Sequence, residues 1–136
     1  MKQYSIFISH SWAYGENYNR LIKMLNNDPY FHFKDYSVPK HDPIHNAPNQ
    51  LLLKQAIANQ IRFCDVVIIL AGVYSTYSKW INIEIDIAKN GFQYPKSILA
   101  IEPWASEKTS QIVKKNADKI VRWQTCSIVD AIKGLA

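Results

Sequence analysis

Apolar and polar positions follow helical spacing over residues 77–90, with one exception. When these residues are set at about 100° per step, the apolar side chains share one broad arc. The members of that arc are Trp80, Ile81, Ile83, Ile85, Ile87 and Ala88. Glu84 falls near the centre of the arc, where a charge is costly unless another group compensates it. Two interpretations stay equally open from this helix alone: a functional carboxylate, or a structural acid held by backbone amides or a hydroxyl.

The rest of the chain alternates strand-like and helical segments. We predict strands over residues 3–9, 30–36, 64–71, 96–101 and 119–123. The run from Cys64 to Ala71 is the most continuous apolar stretch and suits a central strand, whereas Tyr30 to Tyr36 alternates as an edge strand does. We predict helices at 16–26, after Asn49, at 77–90, near 110–116 and from Ser127, where a capping-box-like pattern begins. The alternation predicts a doubly wound α/β fold with a five-stranded parallel sheet and helices on both faces.

Composition agrees with one compact domain over residues 1–136. The hydrophobic content is 48%, and no stretch approaches the length of a membrane span or resembles a signal peptide. We therefore expect a cytoplasmic protein with no membrane partner. Cys64 and Cys126 lack metal-type spacing, and Cys64 is expected to be a buried reduced thiol.

The net charge of +5 does not by itself identify a partner. The basic residues are scattered, and the pair Lys114 and Lys115 suits a helix surface, so we expect no nucleic acid partner. A preference for phosphate-bearing small molecules explains the net positive charge equally well. With four glycines in the chain, neither a P-loop nor a dinucleotide fingerprint can be written, so a nucleotide would have to be held by loops and side chains.

Ligands of such folds bind outside the carboxyl ends of the strands. The loops expected there are 10–15, 37–48, 72–78 and 102–106. They carry five aromatic residues: Trp12, Tyr14, Tyr74, Tyr77 and Trp104. Aromatic side chains gathered at one rim suit stacking on a base or another flat ring.

Three other groups of polar residues are better explained as structural or solvent-exposed residues than as catalytic or metal-binding ones. His41, Asp42 and His45 are interrupted by a proline and lack further ligands, so we expect a solvated loop and no metal site. The segment 9–11 resembles part of a serine triad only superficially, because nothing nearby orients a base. Asp65 begins a strand at the end away from the expected site, and we interpret it as a structural hydrogen-bond acceptor.

Several motifs together resemble a known family. The segment 4–11, YSIFISHS, is similar to the opening strand of TIR domains, and Ser78, Trp80 and Glu84 resemble their Ser-x-Trp-x-x-x-Glu signature. The segments 36–39 (YSVP), 42–44 (DPI), 70–74 (LAGVY) and 102–104 (EPW) resemble the TIR-like proteins of the bacterial Thoeris antiphage system. The resemblance covers essentially the whole chain with its motifs in order. It implies a flavodoxin-like, TIR-like domain.

The resemblance also implies an enzyme that cleaves NAD⁺ as its substrate and needs no other cofactor. In catalytic TIR domains the glutamate matching Glu84 is essential and contacts the nicotinamide-side ribose while the N-glycosidic bond breaks. The Thoeris branch makes a cyclic ADP-ribose isomer that activates a downstream effector. The chemistry agrees, because the nicotinamide ring is cationic in NAD⁺ and leaves as a neutral molecule without being protonated. One carboxylate can therefore suffice where O-glycosidases need two.

Six further residues are expected to form the wall of the substrate pocket: Phe7, Ser9, Trp12, Tyr74, Ser78 and Trp80. Each has core packing as an alternative role. The loop 36–43 departs from the Arg-Asp…Pro-Gly loop of receptor-type TIR domains, which argues against receptor-style signalling contacts there.

Two other functions remain as alternatives to an NAD⁺-cleaving enzyme. A non-catalytic TIR-like module would work through protein association, including self-association. A nucleoside deoxyribosyltransferase-like enzyme would exchange bases on deoxynucleosides and ignore NAD⁺.

Overall fold

The structure, a computed structural model, describes residues 3–9, 15–36, 50–70, 79–102 and 111–136. Five parallel strands form one sheet in the order β2-β1-β3-β4-β5. Their bounds are β1 Gln3–Ser9, β2 His32–Asp35, β3 Val66–Leu70, β4 Ser97–Glu102 and β5 Lys119–Arg122. The predicted fold class, a doubly wound α/β sheet of flavodoxin-like type, is confirmed.

Helices cover both faces of the sheet. Their bounds are α1 Gly15–Asn26, α2 Gln50–Ile61, α3 Lys79–Asn90, α4 Gln111–Asn116 and α5 Thr125–Leu135. On one face, α2, α3 and α4 pack on the sheet through what we call the α3-side cluster. It contains Phe7, Ile57, Ile61, Cys64, Val67, Ile69, Ile85, Ile87, Ala88, Ile98, Ala100 and Val113. On the other face, α1 and α5 pack through a second cluster that includes Leu21, Leu25, Leu99, Ile101, Ile128 and Ile132.

Strand β3 is the centre of the sheet, as its continuous apolar sequence predicts. All five of its residues are buried, because helices cover both faces of a parallel sheet and leave no polar side. Strand β2 is an edge, and its alternating exposure matches the predicted edge strand. At the amino end of β3, the Ser5 amide donates to the Asp65 carboxylate over 3.1 Å, which confirms Asp65 as a structural acceptor.

Helix α3 ends where the sequence places a glycine. The Gly91 amide donates to the Ile87 carbonyl oxygen over 2.8 Å, and a Cβ atom on residue 91 would lie 2.7 Å from that same oxygen. The chain then turns back, and the Lys96 amide donates to the Ala88 carbonyl oxygen over 2.8 Å. This contact fixes the beginning of β4 beside the last turns of α3.

The last helix begins earlier than its sequence pattern predicts. Helix α5 starts at Thr125 with Gln124 as its N-cap, so Ser127 lies inside the first turn and the predicted capping box is wrong. The Ser127 hydroxyl donates instead to the Gln124 side-chain oxygen over 3.2 Å. The buried residues Ile128, Val129, Ala131 and Ile132 hold the helix on the sheet, which explains why a missing side-chain cap is tolerated.

Both cysteines carry free thiols. Cys64 is buried, as predicted, and Cys126 is exposed.

Among the helices in the described ranges, none is long and apolar enough to cross a membrane.

Candidate functional site

Glu84 is buried on α3, with only 4% of its surface exposed. Its neighbours Ile85, Ile87 and Ala88 belong to the α3-side cluster, and Ile83 packs against that cluster. Asp86, two residues further on, is exposed and accepts a hydrogen bond from Asn90 over 2.9 Å. The helix therefore presents one carboxylate to the protein interior and one to solvent, as the apolar arc predicts.

Burial distinguishes Glu84 from an ordinary surface acid. Within the described part of the chain its Oε2 atom is buried with no hydrogen-bond donor, while the residue does take part in a further interaction. The charge is therefore not isolated, but it lies beside aliphatic side chains, where moving a carboxylate out of water costs free energy. A residue needed only for packing would be apolar at this position.

Glu84 lies in the first half of α3, the half nearer the carboxyl edge of the sheet. Helix α3 follows β3 in the chain, so it starts on the side where β3 ends and runs back against the strands. Glu84 is the sixth residue of the helix, roughly 7.5 Å along its axis from Lys79 at 1.5 Å per residue. Helical side chains generally tilt toward the helix N-terminus, a direction that leads toward that edge.

Of the six predicted wall residues, three lie in described elements. Phe7 is fully buried in the α3-side cluster, on the face of the sheet that carries Glu84. Ser9 ends β1, its Cα paired with that of Ile69 on β3, and so lies at the carboxyl edge. Trp80 lies in the first turn of α3. Trp12, Tyr74 and Ser78 lie outside the described residues, as do His41 and His45. The pocket wall stays a prediction.

Glu102 is a further candidate residue, which the sequence analysis names only within the motif at 102–104. Glu102 is the last residue of β4 and is 8% exposed, the other buried charged side chain in the described ranges. Five apolar or small residues precede it and Pro103 follows, a pattern that places an acid at the carboxyl end of a buried strand. That pattern could have marked Glu102 as a candidate beforehand.

The other reactive side chains near the α3-side cluster, Cys64 and Lys96, have structural roles. Burial raises the pKa of the Cys64 thiol to about 12, with Lys96 acting in the opposite direction, so the thiol stays protonated and unreactive near neutral pH. The Lys96 ammonium donates to the carbonyl oxygens of Arg62 and Cys64 over 2.9 and 3.0 Å, which ties the end of α2 to the start of β4. No cluster of metal-ligating side chains occurs in the described ranges.

These features define what the arrangement can do chemically. A buried carboxylate held on a helix can stabilise positive charge that develops on a bound molecule, and it does so more strongly than a carboxylate in water. A second buried carboxylate at the same edge, Glu102, can accept hydrogen bonds from hydroxyl groups. The site is therefore suited to a sugar or nucleotide that carries or develops a positive charge.

Comparison with known proteins identifies the family. The model of the family described as Thoeris protein ThsB, TIR-like domain, matches residues 7–108. Among solved structures, the chain is similar to the crystal structure of Smu.1420 from Streptococcus mutans UA159, at 13% identity. That alignment covers 98% of this chain and 94% of that chain, with a TM-score of 0.46. No curated protein matches the chain significantly. Since the family match spans most of the 136 residues, the chain belongs to the family of Thoeris ThsB TIR-like domains.

Proposed function

We propose that the protein is an NAD⁺-cleaving enzyme of antiphage defence that releases nicotinamide and forms a cyclic ADP-ribose isomer. The product would act in the cytoplasm as a second messenger for a separate effector protein. Family membership supports a role in defence. The observation that supports the enzymatic part is the burial of Glu84 in the first half of α3, the helix that follows the central strand β3.

In this proposal Glu84 stabilises the positive charge that forms on the nicotinamide-side ribose as the C–N bond breaks. The bonding electrons leave with nicotinamide, which departs as a neutral ring, so no acid has to protonate it. An acceptor within the same ADP-ribose molecule, an adenine nitrogen or a ribose hydroxyl, then attacks the anomeric carbon. A hydroxyl acceptor gives its proton to the Glu84 carboxylate or to water when the new C–O bond forms.

Two features support Glu84 as the stabilising group. Low dielectric around the carboxylate strengthens its attraction for the developing cation, and the helix fixes the side chain before substrate binds. Cyclisation also requires water to be kept away from the anomeric carbon. The predicted wall residues would supply that exclusion: Phe7, Ser9, Trp12, Tyr74, Ser78 and Trp80.

The proposal is tested by following small molecules in cells and with purified protein. Wild-type protein incubated with NAD⁺ should release nicotinamide on chromatography, and mass spectrometry of phage-challenged cells should detect an ADP-ribose species with the mass of a cyclic product. If neither appears in resting or infected cells, the chain is a non-catalytic association module. If deoxynucleosides exchange their bases while NAD⁺ stays intact, it is a deoxyribosyltransferase.

A further inference from the structure

Asp65 and Asp118 connect neighbouring strands in the same way. Each lies one residue before a strand, Asp65 before β3 and Asp118 before β5. The Asp65 amide donates to the Ser5 carbonyl oxygen over 2.7 Å, and the Asp65 carboxylate accepts the Ser5 amide over 3.1 Å. The Asp118 amide donates to the Ile98 carbonyl oxygen over 2.8 Å, and the Asp118 carboxylate accepts the Ile98 amide over 2.7 Å. Each aspartate thus extends the pairing of two parallel strands by one residue at the amino end.

Asp118 differs from Asp65 in having a partner on α3. The Lys89 ammonium donates to Asp118 Oδ2 over 2.7 Å, and the same oxygen accepts the Ile98 amide. Within the described ranges Asp65 forms no ion pair. Asp118 therefore joins the last turn of α3 to β4 and β5, whereas the bonds of Asp65 join β1 and β3.

Stability is a weak explanation for the ion pair between Lys89 and Asp118. Their side chains are 23% and 40% exposed, and pairs this open to water contribute little to the free energy of folding. The distance of 2.7 Å is nevertheless that of a strong charge-assisted hydrogen bond, and the Ile98 amide fixes the accepting oxygen. Such a bond has a preferred direction, so it is suited to setting the orientation of the helix that carries its donor.

Lys89 lies five residues after Glu84 on α3. At about 100° per residue, the two side chains leave the helix about 140° apart. Aliphatic contacts hold the helix on the sheet but have no direction, so a directed bond on another flank restricts rotation of α3 about its axis. Rotation of α3 would move the Glu84 carboxylate relative to a bound molecule, and a misplacement of about 1 Å can lower a rate by about 10²-fold.

We propose that Asp118 is a positioning residue: through Lys89 it fixes the rotation of α3 and holds Glu84 in place for bond cleavage. This inference rests on the proposed function and adds a residue that touches no substrate. Asp118 lies at the amino end of β5, whereas ligands of this fold bind outside the carboxyl ends of the strands. Loss of the ion pair should therefore lower kcat for nicotinamide release and leave KM for NAD⁺ unchanged.

The test measures kcat and KM for nicotinamide release from NAD⁺, with Tm on the same samples. Asp118→Asn keeps a side-chain oxygen for the Ile98 amide and loses the charge, while Lys89→Met removes the ammonium and keeps a long side chain. Each should lower kcat by about five- to tenfold, part of the cost of a 1 Å misplacement. The double variant should be no slower than either single variant, because both remove the same contact. Lys89→Arg keeps the charge and should retain the wild-type kcat.

Asp65→Asn is the matched control, the same chemical change in the same arrangement of two strands without the ion pair to α3. It should keep the wild-type kcat even if its Tm decreases. Equal losses of kcat in Asp65→Asn and Asp118→Asn would overturn the proposal, because general loosening of the sheet would then explain both. An unchanged kcat in Asp118→Asn with a lower Tm would show that Asp118 serves stability alone.

Amide hydrogen exchange gives a second measurement that does not depend on activity. The amides of residues 84–90 should exchange faster in Asp118→Asn than in Asp65→Asn, because only the first variant releases the helix. Equal exchange in the two variants would overturn the proposed role of Asp118.

Activity of the wild type separates this proposal from the proposed function. If the wild type releases no nicotinamide, either purified or in phage-challenged cells, the proposed function fails and the role of Asp118 fails with it. If the wild type is active and both Asp118→Asn and Lys89→Met match its kcat, only the positioning role is overturned.

Discussion

Glu84 and Asp86 lie two residues apart on α3 and meet opposite environments. Glu84 is buried, and its chain neighbours Ile85, Ile87 and Ala88 belong to the α3-side cluster, whereas Asp86 is exposed and hydrogen-bonded to Asn90. Substitution can therefore remove a carboxylate from the protein interior, at Glu84, or from the surface, at Asp86, on the same helix. This pair separates an effect of buried charge from an effect of changing the helix itself.

Periodicity identifies the burial of Glu84 without assigning it a role. A 3.6-residue period fixes which side chains share a face, and the apolar arc correctly places Glu84 inside and Asp86 outside. Periodicity does not say which groups of other elements meet the carboxylate, because those contacts are set by the packing of α3 on the sheet. Residue type alone leaves packing and function as equal explanations for Glu84. The resemblance of the motifs to a known family implies the reaction.

The Cys64 thiol predicts a pH dependence of stability. Its pKa in the folded state is raised from 9.0 to about 12, mainly by burial, so above pH 9 the unfolded chain releases a proton that the folded chain keeps. Stability from this group is complete below pH 9 and decreases as the pH rises toward 12. At pH 10 the loss relative to neutral pH should be about 1.4 kcal/mol, the equivalent of one pKa unit.

Urea unfolding of the wild type and of Cys64→Ala at pH 7.5 and pH 10 measures this effect. Other titrating groups contribute equally to both proteins, so the stability advantage of the wild type should be smaller at pH 10 by that amount. Cys126→Ala, at the exposed cysteine, is the matched control for removing a thiol. A wild-type advantage that is the same at both pH values would contradict the buried, protonated thiol.

At the scale of elements, the strands follow their sequence patterns most closely. Strand β1 has the predicted bounds, and β3, β4 and β5 differ by one or two residues. For the buried strands β3 and β4 the reason is that a buried parallel strand needs a continuous apolar run that few other structures use. Helix starts are harder to predict, as α5 illustrates. Its capping-box pattern at Ser127 does not mark the start, because the Ile128 amide donates to the Gln124 carbonyl oxygen over 3.0 Å and the helix begins at Thr125.

Two glycines near helix ends predict opposite effects of the same substitution. A Cβ at Gly91 would lie 2.7 Å from the Ile87 backbone oxygen, whereas a Cβ at Gly134 within α5 meets nothing within 4 Å. Gly91→Ala should therefore be destabilising by about 1–3 kcal/mol, as overpacking is. Gly134→Ala should increase stability by up to about 1 kcal/mol, because alanine has the higher helix propensity.

Chemical denaturation of the two glycine variants beside the wild type gives both free energies of unfolding. Circular dichroism should show a folded protein in each case, so the comparison concerns stability alone. A Gly91→Ala variant at least as stable as the wild type would mean that the end of α3 relaxes at no cost. The close approach of residue 91 to Ile87 would then have no energetic role.

At the scale of the whole molecule, the sheet brings together parts of the site that are far apart in sequence. Ser9, Glu84 and Glu102 come from β1, α3 and β4, and the parallel topology places them toward one edge of the sheet. The α/β alternation is enough to predict that edge, because the carboxyl ends of parallel strands meet there. The turn that brings the Lys96 amide to the Ala88 carbonyl oxygen could not be predicted, because no sequence period reports a contact between a helix end and the next strand.

The parts of the site predicted from loops remain predictions. Trp12, Tyr74 and Ser78 lie outside the described residues, and loop conformation depends on tertiary contacts that no sequence period reports. The described elements nevertheless supply two buried carboxylates, Glu84 and Glu102. The proposed function therefore depends most on Glu84.

The most direct test of that account compares Glu84→Gln with Asp86→Asn in nicotinamide release from NAD⁺, with Tm measured on the same samples. Loss of the stabilising charge should lower the rate for Glu84→Gln by at least about 10²-fold, the effect of removing one preorganised electrostatic group. Its Tm should stay close to that of the wild type, and Asp86→Asn should match the wild type in both measurements. A Glu84→Gln protein that keeps its activity while losing stability would contradict the account, because Glu84 would then serve the fold and not the reaction.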